Sequence, residues 1–135
     1  MAVYLTEEDV EALLAIGDAL EAVEGSFLRQ ADGRIENKPR YRLGLDGGSV
    51  AVMAASDHGL GVAGVKTYAA GRNGASFVVI LFDAASQETL ALIEGDHLGR
   101  LRTGAASGVA AKYLAKDGAR SLGVFGCGWQ AETQI

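Results

Sequence analysis

The sequence predicts an α/β fold in which helices pack on a sheet. Three observations point to this class. Residues 7–33 carry apolar side chains at helical spacing, residues 49–94 alternate between apolar runs and turn-forming residues, and residues 96–115 read as one helix. A short apolar run at 121–125 then leads into a glycine-rich turn. This order of elements predicts one sheet-and-helix unit followed by the start of a second.

Length and composition restrict the class further. A chain of 135 residues and 14.0 kDa is large enough for one compact core and too small for two ordinary domains. Its formal charge of −5 argues against a surface that binds nucleic acid or an anionic membrane. Cys127 is the only cysteine, which excludes an internal disulfide and a multi-cysteine metal site within these residues. With no leader and no long apolar run, we expect a cytoplasmic protein that does not span a membrane.

The first elements are a short strand and two helices. Val3–Leu5 is apolar, and Thr6 after it can accept a hydrogen bond from a free backbone N–H, so we expect a helix to begin at Glu7. Acidic residues in the first turn favour the positive end of the helix dipole. A second helix restarts at residue 17 and ends at residue 33. The apolar side chains of its packing face are Ile16, Leu20, Val23 and Phe27.

Four strands and a third helix follow. Turn-forming residues separate the strands at 57–59, 72–74 and 83–86, and such short connections favour an antiparallel meander. The helix over residues 96–115 is rich in glycine, alanine and serine, which lets another backbone lie close against it. The predicted strands cover residues 49–55, 59–68, 76–82 and 89–94.

The glycine-rich turn carries a dinucleotide-binding pattern. Gly126-x-Gly128-x-x-Ala131 matches G-x-G-x-x-G/A, with a predicted strand before it and a helix after it. Gly126 permits the tight turn, Gly128 lets a pyrophosphate approach the backbone, and Ala131 lets the helix press on the strand. An ordinary glycine-rich turn between a strand and a helix is the alternative. These elements are less than half of a βαβ unit of ~30 residues, so we expect the front part of a longer protein.

Lys66 is the first of three cations in apolar surroundings. It lies in a predicted strand whose two faces both look covered, with Val62 and Tyr68 on its own face. A lysine on a buried face of a strand lowers the stability of the fold unless its amine pairs with an anion or loses its charge. Lys66 could therefore hold a substrate carboxylate or transfer a proton. A lysine at a strand end that extends to water is the alternative.

The other two cations are arginines. Arg102 shares a predicted helical face with Ala106, Val109 and Tyr113, which places its charge on a packing surface. A bidentate contact with a carboxylate or phosphate suits it, and an ion pair with Glu94 or Asp96 is the alternative. Arg40 follows Pro39 in an extended basic segment, which by itself favours a solvated edge. The two histidines, His58 and His97, lie at no metal-ligand spacing, so we expect no metal.

Five segments occur together in a recognisable order. They are Pro39-Arg40, Gly64-Val65-Lys66-Thr67-Tyr68, Leu81-Phe82-Asp83, Leu101-Arg102-Thr103-Gly104-Ala105-Ala106-Ser107 and Gly126-Cys127-Gly128-Trp129-Gln130-Ala131. With these segments the chain resembles the ornithine cyclodeaminase/mu-crystallin family over essentially all 135 residues. The arginine-threonine pair of the helix, followed by the Gly-x-Gly-x-Gln turn, is the specific part of this resemblance.

The resemblance implies a fold and an activity. Residues 1–118 would form the N-terminal part of a mixed-sheet substrate-binding and dimerisation domain, and residues 119–135 the first strand and glycine turn of a Rossmann domain that binds NAD or NADP. Family members transfer a hydride at the Cα of an amino acid through an imine. Cyclodeamination of ornithine to proline and ammonia is the leading case. The alternatives are an alanine dehydrogenase, a ketimine reductase and a crystallin-like binding protein without turnover. In every case the protein would form a homodimer.

The resemblance also implies roles for particular residues. Arg40, Lys66 and Arg102 match positions that hold the substrate carboxylate, and Lys66 would also lie near the reacting amine. Met53 falls where members line the substrate pocket. One departure is a threonine that faces the cofactor in some members: Gly74 stands in its place, and Ser76 is the nearby candidate substitute. The cofactor would meet Arg102, Thr103, Gly126, Gly128, Gln130 and Ala131.

Overall fold

A computed structural model describes all of residues 1–135. It contains seven strands, three α-helices and one 3-10 turn. In chain order these are β1 (Val3–Leu5), α1 (Glu7–Leu13), α2 (Ile16–Ala31), β2 (Ile35–Asn37), β3 (Tyr41–Leu45), β4 (Gly48–Asp57), β5 (Val62–Gly71), β6 (Gly74–Asp83), β7 (Thr89–Glu94), α3 (Asp96–Leu114) and the 3-10 turn at Ala131–Gln134. None of the three α-helices has the length and apolar composition that a membrane span requires.

The seven strands form one mixed sheet in the order β1-β7-β6-β5-β4-β2, with β3 also paired to β4. Strands β4 to β7 are an antiparallel meander, whereas β1 runs parallel to β7. This confirms the predicted α/β class and mixed sheet. The prediction missed β2 and β3. Tyr41, Leu43 and Leu45 alternate with more polar neighbours, and that period of two was the signal for β3.

The helices cover one face of the sheet. Phe77 and Val79 of this face lie against Gly95, the residue before α3. Asp57 of the same face forms an ion pair with Arg29 of α2. Ala51 in the same face is completely buried. The opposite face has no helix over it, so the expectation that both faces around Lys66 are covered is wrong. Large side chains of that opposite face are exposed: Tyr4, Tyr41, Leu43, Leu90 and Leu92.

The first helix begins as predicted. The Asp9 N–H donates to Thr6 Oγ1 over 3.2 Å, and the Thr6 N–H donates to Asp9 Oδ2 over 2.9 Å, which completes a capping box. The hydrogen bonds from Thr6 also hold the pKa of the Asp9 carboxyl below its usual range. Thr6 therefore fixes the entry into α1, and with it the position of Glu7, the first residue of that helix.

The predicted strand at 121–125 is not formed. Residues 119–128 have no regular secondary structure, and Val124 and Phe125 are exposed. A strand in a parallel sheet needs a neighbour for its N–H and C=O groups, and no strand of the described chain lies beside this run. The helix predicted after the glycine turn is a 3-10 turn at Ala131–Gln134. These residues keep one feature of the prediction, because Gly126 has a φ of +97° that favours glycine.

The 3-10 turn packs directly on α3 at Gly104. A Cβ built on Gly104 would lie 1.8 Å from the carbonyl oxygen of Thr133, so only a residue without a side chain fits there. Thr133 Oγ1 also donates to the Arg100 carbonyl oxygen over 3.1 Å. The small residues of α3 therefore serve the close backbone approach that their composition predicted.

Substituting Gly104 with alanine is expected to displace the 3-10 turn from α3. The new methyl group overlaps backbone, and overpacking of this kind costs about 1–3 kcal/mol. Hydrogen exchange of residues 129–135 measures the change and is expected to become faster. Gly108→Ala is the matched control, because its Cβ would meet only the mobile end of Leu20. Equal exchange in Gly104→Ala and the wild type would contradict the predicted displacement.

Candidate functional site

Lys66 lies where the start of α3 crosses the sheet. Its amine is 3.2 Å from the position that a Cβ of Gly99 would occupy, so a side chain at residue 99 would crowd it. The amine also lies 5.2 Å from the centre of the Phe77 ring, at cation–π distance. Lys66 is half-buried and makes no salt bridge. The alternative of a lysine that extends freely to water does not describe this geometry.

The electrostatic surroundings of Lys66 are mainly positive. Burial lowers the pKa of the Lys66 amine, and the charges of Arg102 and Arg40 lower it further. Asp96 acts in the opposite direction and raises that pKa. The fold thus brings together the three cations that the sequence singled out. Such a cluster attracts an anion, and arginine and lysine bind both carboxylates and phosphates.

Arg40 reaches the cluster from the segment before β3. It is exposed, and its Nη1 donates to the Tyr68 hydroxyl over 3.3 Å while its Cζ lies 6.0 Å from the Tyr68 ring centre. Tyr68 follows Lys66 by two residues on β5, so the two side chains share one face of the sheet. Arg40 is therefore a solvated side chain, as the segment indicated, with a defined partner beside Lys66.

Met53 lies directly opposite Lys66. The two residues are paired in the antiparallel register of β4 and β5, which places their side chains next to each other on the helix-covered face. Met53 is half-buried. Met53 is thus a direct neighbour of Lys66, and its role in lining a substrate pocket stays a prediction.

Arg102 does not lie on the packing face of α3. It is exposed and forms no ion pair, so neither the predicted packing surface nor an ion pair with Glu94 or Asp96 describes it. The helix instead buries Gly99, Arg100, Gly104, Ala105 and Val109. Gly99 and Gly104 leave room for Lys66 and for Thr133 of the 3-10 turn, whereas Arg100 is buried under Trp129. Arg102 is left free on the side of α3 from which it acts on Lys66.

Arg100 is a functional candidate that the sequence reasoning missed. Its side chain is only 10% exposed, its Cζ lies 3.8 Å from the Trp129 ring centre, and its Nη2 is 2.5 Å from Glu132 Oε2. It thereby attaches the glycine turn to α3 next to Arg102. The sequence does not show which of the two arginines, Arg100 or Arg102, is buried. The answer depends on side chains of the glycine turn, which are distant in sequence.

The proposed cofactor residues lie along α3 and around the glycine turn. Thr103 Oγ1 donates to the Gly99 carbonyl oxygen over 2.6 Å, and Gln130 is exposed. A Cβ on Gly126 or Gly128 would meet no atom within 4 Å, so the backbone there is open. A cavity of about 480 Å³ adjoins this turn and is lined by residues that include Gly126, Gly128 and Ala131.

Two further sequence features have a structural outcome. Gly74 has a φ of +115°, a conformation that disfavours a β-branched residue such as threonine. Ser76 pairs with Ala69 of β5. Ala69 points to the face opposite to that of Lys66 and Tyr68, so Ser76 also projects from that opposite face. Ser76 is therefore not a substitute on the side where Lys66 lies.

The lowered pKa of Lys66 predicts a pH dependence of stability. Unfolding exposes the amine and returns its pKa to 10.5. Between the lowered native value and 10.5 the unfolded chain binds a proton that the native chain has released, so the free energy of unfolding contributed by this group rises with pH. Urea unfolding at alkaline pH is expected to show this rise in the wild type relative to Lys66→Met. Parallel pH profiles for the two proteins would contradict it.

Comparisons with known proteins place the chain in a family. Residues 1–135 match the profile of the ornithine cyclodeaminase/mu-crystallin family. The chain is 37% identical over 138 residues to the alanine dehydrogenase of Archaeoglobus fulgidus, covering 97% of this chain and 42% of that protein. The chain therefore spans about two fifths of the length of that relative.

Solved structures agree with this placement. An archaeal alanine dehydrogenase dimer with bound NAD has a TM-score of 0.92 at 33% identity, covering 98% of this chain and 43% of the other. The Δ1-pyrroline-2-carboxylate reductase of Thermococcus litoralis, in complex with NADH and L-proline, has a TM-score of 0.89 at 30% identity, covering 98% and 44%. On this evidence the chain belongs to the ornithine cyclodeaminase/mu-crystallin family.

Proposed function

We propose that the chain is part of an NAD(P)-dependent enzyme that transfers a hydride at the Cα of an amino acid. Residues 1–118 would be the substrate-binding and dimerisation part, and residues 119–135 the start of the Rossmann domain. The observation that carries this proposal is that Lys66 pairs with Met53 and feels the positive charges of both Arg40 and Arg102. Both alanine dehydrogenase and pyrroline-carboxylate reductase relatives support an oxidoreductase.

Arg40, Arg102 and Lys66 have separate roles in this reaction. Arg40 and Arg102 bind the substrate carboxylate and leave its Cα next to Lys66. The lowered pKa of Lys66 makes its neutral form more accessible, so the amine can accept a proton from the substrate amino group and return it later. A bound nicotinamide would supply the hydride acceptor or donor. Loss of hydride from Cα leaves an imine on the substrate, which water or a side-chain amine can attack.

The glycine turn fits a dinucleotide. Its backbone is open at Gly126 and Gly128, the adjoining cavity is lined by these glycines, and Arg100 attaches the turn to the helix that bears Arg102. These features support binding of NAD or NADP by Arg102, Thr103, Gly126, Gly128, Gln130 and Ala131.

A homodimer is the second part of the proposal. The sheet face without helices exposes Tyr4 and Leu92 at one end and Tyr41 and Leu43 at the other, and a face that exposes many large apolar side chains is typical of an interaction surface. The archaeal alanine dehydrogenase relative is a dimer. We also propose a cytoplasmic location, because Cys127, the one cysteine of residues 1–135, is exposed and unpaired and therefore suits a reducing compartment.

Turnover of a substrate panel tests the proposed activity. The whole protein is incubated with NAD or NADP and with L-alanine, L-ornithine or L-lysine, while nicotinamide fluorescence and ammonia are recorded. Reduced nicotinamide formed with L-alanine supports the dehydrogenase. Proline and ammonia from L-ornithine, without net reduction, support cyclodeamination, which uses the same hydride step. Binding without turnover supports a crystallin-like binding protein and contradicts the proposed enzyme.

A further inference from the structure

Asp96 carries a carboxylate without a partner at the edge of the cation cluster. As the first residue of α3, an aspartate ordinarily interacts with the free backbone N–H groups of its own helix terminus. Here Glu7 accepts those hydrogen bonds instead, from the Asp96 N–H over 2.7 Å and from the His97 N–H over 2.9 Å. The side chain of Asp96 itself makes no hydrogen bond and no ion pair.

The neighbouring carboxylates are already engaged. Glu94 accepts hydrogen bonds from the Tyr4 hydroxyl over 2.7 Å and from the Glu7 N–H over 2.8 Å. These two bonds hold the pKa of Glu94 below its usual range. Glu7 is engaged by the two N–H groups of α3. Of the three carboxylates at this junction, only that of Asp96 is free to bind a cation.

Helix geometry directs Asp96 to the same side as the lysine. Residues three and seven positions apart share a helical face, so Asp96, Gly99 and Thr103 lie in one row. Gly99 is the member of this row nearest to the Lys66 amine, which lies 3.2 Å from where a Cβ of residue 99 would be. The charge of Asp96 also acts on Lys66, in the direction opposite to the charges of Arg40 and Arg102. The carboxylate is thus one helical turn away from the contact between α3 and β5.

We infer that Asp96 binds the amino group of the substrate. An amino acid has a negative and a positive end, and the cluster of Arg40, Lys66 and Arg102 offers no negative charge to the positive end. The same cluster repels the ammonium group, which therefore needs an anion close by. Asp96 supplies that anion and makes the site select amino acids over carboxylic acids that lack the amino group. The inference rests on the proposed function.

The test compares Asp96→Asn with the wild type in the whole protein. For L-alanine, KM is expected to rise roughly 10- to 100-fold, the loss expected for a hydrogen bond to a charged group. The inhibition constant of propionate, which has the carboxylate and lacks the amine, is expected to stay within about twofold, because no charge is lost at Arg40 or Arg102. A purely structural role would change both constants together.

Two variants serve as controls. Asp46→Asn, in the turn between β3 and β4, removes a carboxylate away from the cluster and is expected to leave both constants unchanged. Asp96→Glu keeps the charge and is expected to restore part of the affinity for L-alanine. An unchanged KM in Asp96→Asn, or an equal rise in KM and in the propionate constant, overturns the inference.

The outcome also separates the inference from the proposed function. If the wild type binds L-alanine without turnover, the proposed enzyme fails and the same comparison is made with dissociation constants. A selective loss of L-alanine binding in Asp96→Asn still supports the role of Asp96. If the wild type binds neither L-alanine, L-ornithine nor L-lysine, both the function and the inference are wrong.

Discussion

Replacing Lys66 with methionine is expected to lower kcat/KM by roughly 10²–10⁴-fold, the contribution typical of a positioned acid or base. Methionine is about as long as the lysine stem and cannot exchange a proton. It also removes one of the three cations that would hold the substrate carboxylate. The fold is expected to persist, because the half-buried amine makes no ion pair whose loss would leave a charge unpaired. Steady-state kinetics and circular dichroism of the whole protein measure the two quantities.

The control for this substitution is Lys116→Met. Lys116 is exposed after the end of α3 and lies outside the cluster, so its loss changes the net charge equally and is expected to leave kcat/KM unchanged. Retained activity in Lys66→Met, with Lys116→Met at the wild-type level, would reduce Lys66 to a structural role. The proposed proton transfer would then have to involve another group.

Arg102→Ala is expected to raise KM for the amino-acid substrate by roughly 10- to 100-fold, because a hydrogen bond to a charged group contributes about 1.5–3 kcal/mol. Arg102 is exposed and unpaired before substrate binds, so its removal leaves no buried partner and the free energy of unfolding is expected to change little. Substrate kinetics and urea unfolding check the two expectations separately.

Arg120→Ala provides the matched comparison for Arg102. Arg120 is also exposed, and it lies in the irregular segment after α3. Its loss is expected to leave KM unchanged. Turnover by Arg102→Ala within twofold of the wild type would show that this side chain does not hold the carboxylate.

Local chemistry accounts for the parts of the fold that the sequence predicted well. Thr6 and Asp9 define the start of α1 because a capping box needs only residues three positions apart. The meander of β4 to β7 follows from turn residues between apolar runs. The sequence alone singles out Lys66, because a charge in an apolar strand lowers stability whichever element covers that strand.

The errors came from partners distant in sequence. Periodicity predicts a packing face for Arg102, but periodicity alone does not show which stripe of α3 is buried. The contact of Gly104 with Thr133 fixes part of that stripe, and Arg100 is buried by its own contacts with Trp129 and Glu132. The strand at 121–125 was predicted from its apolar residues, although a strand also needs a neighbour to pair with. The free carboxylate of Asp96 depends on Glu7, which is 89 positions away.

The junction of β1, α1 and α3 has a consequence for the order of folding. Glu7 bonds to Asp96 and His97 across 89 and 90 positions, and its own N–H bonds to Glu94 across 87. Closing so long a loop is entropically costly, and contacts of high sequence separation form slowly. The hairpins of β4, β5 and β6 pair neighbours in sequence and can form first. We therefore expect the first turn of α3, together with its contact to Lys66, to become ordered late in folding.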